Sequence, residues 1–299
     1  MNRILITGTS GFLGFNHCND LQPDFTVFGT RHETVPACAP ADTVVMDLAG
    51  SLKPVDEFIG DHGIEAIIHC AALSKAGPCS RNPQDARHIN VYGTRSMAEI
   101  AARRRLPFIF MSTDLVYNSG QGPHGEADAD PHMVYSETKF DAEFEAFKVC
   151  PRTVVLRAAL IFGNDDGVHG SFLRENEQDL NAGKTLTLFT DQFRTPVWSR
   201  DIAAAIRIIL EKELRSQVFN VGGDTRINRY DLGLRAAERF GWNTDQMVPV
   251  AMETVTADAP YLQDCSLDSS RLKRMGGWAP TPLDDALYDV ARAWKPAKK

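Results

Sequence analysis

The chain opens on a short apolar run, Arg3-Ile-Leu-Ile-Thr7, that stops at a glycine. An unbroken run of β-formers of this length predicts a strand buried on both faces. Similar runs recur at Phe25–Thr30, Thr43–Leu48, Ile64–Ala72, Pro107–Ser112 and Thr153–Arg157. Between them the apolar spacing turns helical, at Phe15–Gln22, Asp56–Gly60, Asn82–Arg105 and His132–Phe147. Asn82-Pro83 reads as a helix start, with Asn as the cap and Pro in the first turn. Asn16, His17, Asn19 and Asp20 crowd the first helix with polar groups, which predicts a short helix or one with a well-exposed face. Strands that alternate with helices predict an α/β fold, a Rossmann-like doubly wound parallel sheet.

From about residue 160 the alternation loosens. Helices are predicted at Ser171–Ala182, Ser199–Leu214, Asn228–Phe240 and Pro282–Trp294, and strands at Thr185–Phe189 and Val218–Gly223. Arg194–Val197 reads as extended, and Gly163–Gly167 and Tyr261–Ser270 as loops.

Gly8-Thr9-Ser10-Gly11-Phe12-Leu13-Gly14 follows the first strand directly, with glycines at G-x-x-G-x-x-G. The first glycine permits a tight turn, the second lets the backbone approach a phosphate, and the third lets the new helix pack on the strand. The helix N-terminus then aims free N–H groups at a pyrophosphate. The plainer reading is a glycine turn with no ligand; the strand–glycine–helix order favours dinucleotide binding. Residues 1–160 are therefore read as a dinucleotide-binding Rossmann domain. Residues 161–299 form a mixed region, part returning to the sheet and part building a substrate-binding lobe.

Strand ends supply the other cofactor candidates. Arg31 can pair a 2′-phosphate where an acidic residue would accept from a 2′-hydroxyl, and Glu33 lies close by, so NADP(H) is favoured and NAD(H) stays open. Asp47 and Leu48 end the third strand, and Asp47 can meet the adenine amine. Cys70, Ala71 and Ala72 leave room for a flat cofactor at the end of the fourth. His69 reads as a hydrogen-bonded strand-end histidine. Asn90 faces the core if Ala86, Ile89, Gly93 and Met97 do; it either bridges backbone groups or holds a water beside Lys139.

Thr113 stands at the carboxyl end of the fifth strand, the edge where open α/β sheets bind ligands. Tyr135 and Lys139 are four residues apart, so one helix shows both on the same face. The ammonium is expected to pull the phenol below its usual value of about 10 and make it a proton donor. Thr113 could hold a carbonyl oxygen against that phenol. The loop from Tyr117 to Pro131 is long, which marks it as functional.

Composition narrows the field. The chain has 299 residues, 43% hydrophobic and 24% charged, as in ordinary globular proteins. A net charge of −7 argues against a nucleic-acid partner. No apolar run reaches bilayer length, and the first is too short for a signal-peptide core. Six scattered cysteines without CxxC or Cys/His spacing argue for free thiols in a reducing cytoplasm, and no ligand cluster identifies a metal site, though metal dependence stays open.

The glycine run, Asp47-Leu48, Cys70-Ala71-Ala72, Asn90, Ser112-Thr113-Asp114, Tyr135-Ser-Glu-Thr-Lys139 and Leu156-Arg157 together resemble the extended short-chain dehydrogenase/reductase family. Ser112 to Tyr117, Asp191-Gln192 with Pro196, and Cys265-Ser-Leu-Asp268 are most similar to its dTDP-4-dehydrorhamnose reductase group. The resemblance implies reduction of a keto group on a nucleotide-sugar or related small ketone, with Thr113, Tyr135 and Lys139 catalytic. It implies cofactor contacts from Gly8, Ser10, Gly11, Phe12, Leu13, Gly14, Arg31, Asp47, Leu48, Cys70, Ala71, Ala72, Asn90, Tyr135 and Lys139. Substrate contacts are expected from Ser74, Thr113 and Arg194. Dehydratases of the family carry a second carboxylate after the Asp; Leu115 stands there instead, which argues for simple reduction or epimerisation. Arg194 replaces a glycine common in the reductases. A different outcome is a cofactor-binding regulatory subunit, resembling the β subunit of methionine adenosyltransferase. A homodimer stays open.

Overall fold

The structure is a computed structural model describing residues 1–118, 120–165, 171–255 and 262–294. Residues 166 and 167 of one expected loop, and Tyr261 at the start of the other, lie outside the described residues. In the first half, strands β1 (Arg3–Thr7), β2 (Thr26–Arg31), β3 (Thr43–Val45), β4 (Ala66–His69), β5 (Phe108–Thr113) and β6 (Thr153–Ala158) alternate with helices. These are α1 (Phe12–Leu21), α2 (Lys53–Asp61), α3 (Ala76–Arg81), α4 (Pro83–Arg87), α5 (Thr94–Arg103) and α6 (Val134–Val149). The second half contains β7 (Ile161–Phe162), α7 (Phe172–Asn181), β8 (Leu186–Phe189), β9 (Phe193–Arg194), β10 (Val197–Trp198), α8 (Ser199–Glu211) and β11 (Gln217–Val221). It continues through β12 (Ile227–Asn228), α9 (Arg229–Phe240), β13 (Met247–Val250), α10 (Ser270–Gly276) and α11 (Leu283–Ala293).

Seven strands form one parallel sheet in the order β11-β6-β5-β4-β1-β2-β3, the doubly wound arrangement expected. The winding reverses between β1 and β4, where Thr7 pairs with His69. Alternate side chains explain why both faces need cover. Ile4, Ile6, Ile68, Met111 and Leu156 pack one core with Cys18, Leu21, Ile202 and Ile206 of α1 and α8. Leu5, Ile67, Phe110 and Val155 pack the other with Val55, Met97 and Ala142 of α2, α5 and α6. Each fully buried Val, Leu, Ile, Phe or Met side chain among them contributes about 1.5–3 kcal/mol. β11 extends the sheet beyond β6. The short pairs β9–β12 and β8–β13, with α7, α9 and α11, build the rest.

Two expectations need correction. The polar helix α1 is ten residues long and has Asn16, His17 and Cys18 buried. Its polar groups meet distant chain: Asn16 Nδ2 donates to Asn164 O at 2.9 Å, and Asn16 Oδ1 accepts from Asn164 N at 3.0 Å and Ser199 Oγ at 3.2 Å. The helix expected over residues 82–105 is broken by a π-helical turn, His88–Gly93, between α4 and α5. Leu48 presses on this turn, since a Cβ on Gly93 would lie 2.8 Å from the Leu48 Cβ. Among the described residues no helix is long and apolar enough to cross a membrane.

Candidate active site

The reversal of winding opens a cleft of about 510 Å³ at the carboxyl ends of β1, β2, β4 and β5. Thr7 ties the two central strands together there. Its hydroxyl accepts from Cys70 N at 3.0 Å and Ala71 N at 3.1 Å. With both acceptor positions used, its proton goes to His69 Nδ1, 2.8 Å away. The His69 proton is then on Nε2, which donates to Thr94 Oγ1 at 3.2 Å. Burial, with the Lys139 charge, brings the His69 pKa to about 3, so this ring is a neutral strut, as its sequence position suggested.

The glycines divide the work of the phosphate cradle. Gly8 has φ +72°, and a Cβ on it would come within 3.0 Å of the Ala71 Cα. A Cβ on Gly14 would sit 2.1 Å from Gly8 O, so only glycine lets α1 close on the turn. A Cβ on Gly11 would meet only Gly8 O, at 3.5 Å, which leaves the backbone open towards the cleft. Gly11 caps α1 without a side-chain hydrogen bond, so the first N–H groups are left for a ligand. This cradle fits a pyrophosphate. At the adenosine end Arg31, His32, Asp47 and Leu48 line the cleft. No hydrogen bond or ion pair engages the Arg31 guanidinium among the described residues. Glu33, the acidic alternative, does not line the cleft.

Ser10, Phe12, Leu13, Cys70, Ala71, Ala72 and Ser74 also line it, and Thr113, Tyr135 and Lys139 stand at its far end. β5 delivers Thr113, and α6 delivers the other two on one face. Lys139 is buried, donates to Met111 O at 2.7 Å and lies 4.1 Å from the Phe110 ring centroid. Burial pulls its pKa down to about 8, against the opposing pull of Glu143. The Tyr135 phenol does not follow expectation. Burial and the Asp114 carboxylate push it up, and the Thr113 hydroxyl is the group that works the other way. The Lys139 ammonium is turned to a backbone carbonyl and an aromatic face instead.

Asn90 and Arg194 stand back from the cleft. Asn90 accepts from Leu73 N at 2.8 Å and donates to Leu73 O at 3.1 Å and Thr138 Oγ1 at 3.0 Å, so it bridges backbone beside the site. Arg194 is buried, donates to Phe193 O at 2.7 Å and places Nε 3.7 Å from Asp114 Oδ2. Asp114, part of the Ser112-Thr113-Asp114 motif, was given no role of its own in the sequence reading. It is buried, bonded to Thr113 Oγ1 at 3.2 Å, and burial raises its pKa to about 6 against the pull of Arg194. Its signal was adjacency to Thr113. Behind Ser112, Glu143 and Arg157 form a buried fork with contacts of 2.7–3.2 Å. Arg157 continues to the Tyr117 hydroxyl at 2.9 Å, and Tyr117 to Asn220 of β11 at 2.6 Å.

The family described as RmlD substrate binding domain matches residues 1–295. The chain belongs to this family. It is 26% identical to methionine adenosyltransferase 2 subunit beta of Danio rerio, over 96% of this chain and 89% of that one. It is 25% identical to dTDP-4-dehydrorhamnose reductase of Aggregatibacter actinomycetemcomitans, over 97% of this chain and 98% of that one. A dTDP-4-dehydrorhamnose reductase from Bacillus anthracis, solved in complex with NADP, shares the fold with a TM-score of 0.84 at 18% identity. That likeness covers 97% of this chain and 99% of the other. Kinship to the dTDP-4-dehydrorhamnose reductase group is thus borne out. Within the RmlD family frame, the cleft residues missed in the sequence are Thr30, His32, Met46, Leu73, Ile89, Met111, Ser112, Ala158, Ala159 and Ile161. Most are apolar or small and carry no chemical signature; register alone puts them there. Among the described residues no group of His, Cys, Asp or Glu could hold a metal ion.

Proposed function

We propose that the chain reduces a keto group on a nucleotide-sugar-like substrate, with NADP(H) favoured, as an oxidoreductase of the extended short-chain dehydrogenase/reductase type. The observation that carries this reading is one cleft holding both the glycine cradle and the Thr113, Tyr135 and Lys139 set. Gly8, Gly11 and the start of α1 hold the pyrophosphate, Arg31 the 2′-phosphate, and Lys139 the nicotinamide ribose. A reduced nicotinamide, when bound, supplies a hydride to the carbonyl carbon. Thr113 orients the carbonyl oxygen and Tyr135 gives it a proton, so a ketone becomes a secondary alcohol. A raised phenol pKa keeps Tyr135 protonated and ready to donate. Acid catalysis of this kind contributes about 10²–10⁴-fold. Leu115, in place of a second carboxylate, leaves no second acid there for expelling water.

The reductase relative supports the same reading. The subunit relative supports a second, in which the chain binds the dinucleotide and acts through a protein partner. NADPH oxidation against a panel of keto-sugar nucleotides separates them. Turnover is expected; NADPH binding with no turnover on any ketone, together with tight association with a partner protein, would favour the subunit.

A further inference from the structure

The connection from β2 to β3, residues 32–42, contains neither helix nor strand. Most of it is exposed, but Cys38 is only 7% exposed, between the exposed Ala37 and Ala39. Its side chain meets two groups. Sγ donates to Thr9 O, inside the glycine turn, at 3.7 Å. It is also hydrogen-bonded to the thiol of Cys18, fully buried on α1. Gln22, one turn after Cys18, spans the same junction. Its Nε2 donates to Cys18 Sγ at 3.7 Å and to Ala39 O at 2.6 Å. Both cysteines pack in one core with Leu21 and Val27, and neither is disulfide-bonded.

Two thiols from separate elements therefore touch beside the phosphate cradle. A disulfide asks such a pair to close from contact to about 2.05 Å. Cys18 is fixed by its helix, whereas Cys38 sits on irregular chain, which yields more readily. The contact with Cys38, and then burial, raises the Cys18 pKa, so Cys18 stays a thiol while the pair is reduced. Cys38 lies on the solvent side and is the sulfur that an oxidant meets first.

We propose that Cys18 and Cys38 form a reversible redox switch, in which a small-molecule disulfide such as oxidised glutathione links them and the link weakens dinucleotide binding. The Cys38 thiolate attacks one sulfur of the oxidant and expels one thiolate, leaving a mixed disulfide. The Cys18 thiolate then attacks the Cys38 sulfur and expels the second. The two cysteines lose two electrons and two protons, and the oxidant gains them as two thiols. Once linked, Cys38 has no proton to give Thr9 O. Its connection, which begins just after Arg31 and at the cleft-lining His32, is drawn towards α1. Both changes fall on the cradle. This rests on the dinucleotide reading of the cleft and adds its regulation. Linkage is reciprocal, so bound NADP⁺ opposes closure by the factor by which closure weakens NADP⁺.

The full chain equilibrated with mixtures of oxidised and reduced glutathione tests it, by peptide mapping in a mass spectrometer and by fluorescence titration with NADP⁺. A Cys18–Cys38 peptide pair lighter by two hydrogens should appear. The linked protein should bind NADP⁺ about fivefold or more weakly, and dithiothreitol should restore the affinity. Saturating NADP⁺ should raise the ratio of oxidised to reduced glutathione needed for half-closure by the same factor. Cys38→Ser keeps a donor for Thr9 O, so it should bind NADP⁺ as the reduced wild type does and ignore the oxidant. No Cys18–Cys38 link at any ratio, a link with NADP⁺ affinity unchanged, or a loss of affinity that persists in Cys38→Ser, as an adduct on the cleft-lining Cys70 gives, would each overturn the switch. Should Cys38→Ser not fold, the peptide map and titrations of the wild type decide alone. Binding of NADP⁺ by the reduced protein with no link formed removes the switch and keeps the dinucleotide reading. No binding of NADP⁺ or NAD⁺ by the reduced protein removes that reading, and the switch with it.

Discussion

Lys139 has lost its water to the Met111 carbonyl and the Phe110 ring, and its pKa of about 8 follows from that burial. It carries a charge below that value and none above it. Reduction should therefore slow as pH rises through about 8, because a neutral Lys139 holds the nicotinamide ribose proposed for it more weakly than an ammonium does. Rates of NADPH oxidation across pH test this; Lys139→Arg, charged throughout, should lose the limb if it folds and turns over. At the other end of the cleft, Arg31→Ala should weaken NADPH about tenfold or more and NADH by less than about twofold. Equal losses in fluorescence titrations would remove Arg31 from the 2′-phosphate. Thr113, Tyr135, Lys139 and the glycines were legible in the sequence because each has a chemical type at a fixed local spacing. Asp114 was legible only as part of the Ser112-Thr113-Asp114 motif, because its partner Arg194 comes from β9, far along the chain. The phenol pKa was misjudged for a related reason: four residues of spacing gives a shared helix face, not the direction of an ammonium.

α1 shows how an element can be placed correctly and described wrongly. Its polar residues suggested exposure, yet beyond the Phe12 carbonyl the groups that satisfy Asn16 are 148 and 183 residues away. No local pattern reports such partners. His17, the next residue and fully buried, has neither ring nitrogen hydrogen-bonded among the described residues. Burial, and then the Arg207 charge, lowers its pKa from 6.5 to about 3. The unfolded chain takes up a proton there below pH 6.5 and the folded chain does not. Stability is therefore complete above 6.5 and falls as pH drops towards 3. From pH 7 to pH 5 this single group should cost about 2 kcal/mol. Urea unfolding of His17→Leu should show a correspondingly shallower pH dependence; an unchanged slope would mean the ring is solvated in the fold. The π-turn at His88–Gly93 was illegible in the same way, since Asn82–Arg105 keeps an ordinary helical period through it.

The whole molecule joins its halves through the sheet and through one buried polar chain. β11 crosses from the second half to pair with β6, and Asn220 on it meets Tyr117, Arg157 and so Glu143 on α6. Glu143→Ala leaves Arg157 buried without its carboxylate and should destabilise the fold by about 3–5 kcal/mol. Urea unfolding measures this, and a loss below about 1 kcal/mol would show that the pair is solvated. We propose that residues 1–160 and 161–299 differ in role, cofactor and substrate, while remaining one packed body through β11 and α8. The strand order of the sheet was readable because buried parallel strands are nearly continuous apolar runs. The short pairs of the second half were not, because two-residue strands carry no period. The proposed reduction turns on Tyr135, so the most direct measurement compares wild type with Tyr135→Phe in NADPH oxidation against a keto-sugar nucleotide that the wild type reduces. The account predicts a fall of about 10²–10⁴-fold in turnover with NADPH affinity nearly unchanged. Equal turnover by the two proteins would contradict it.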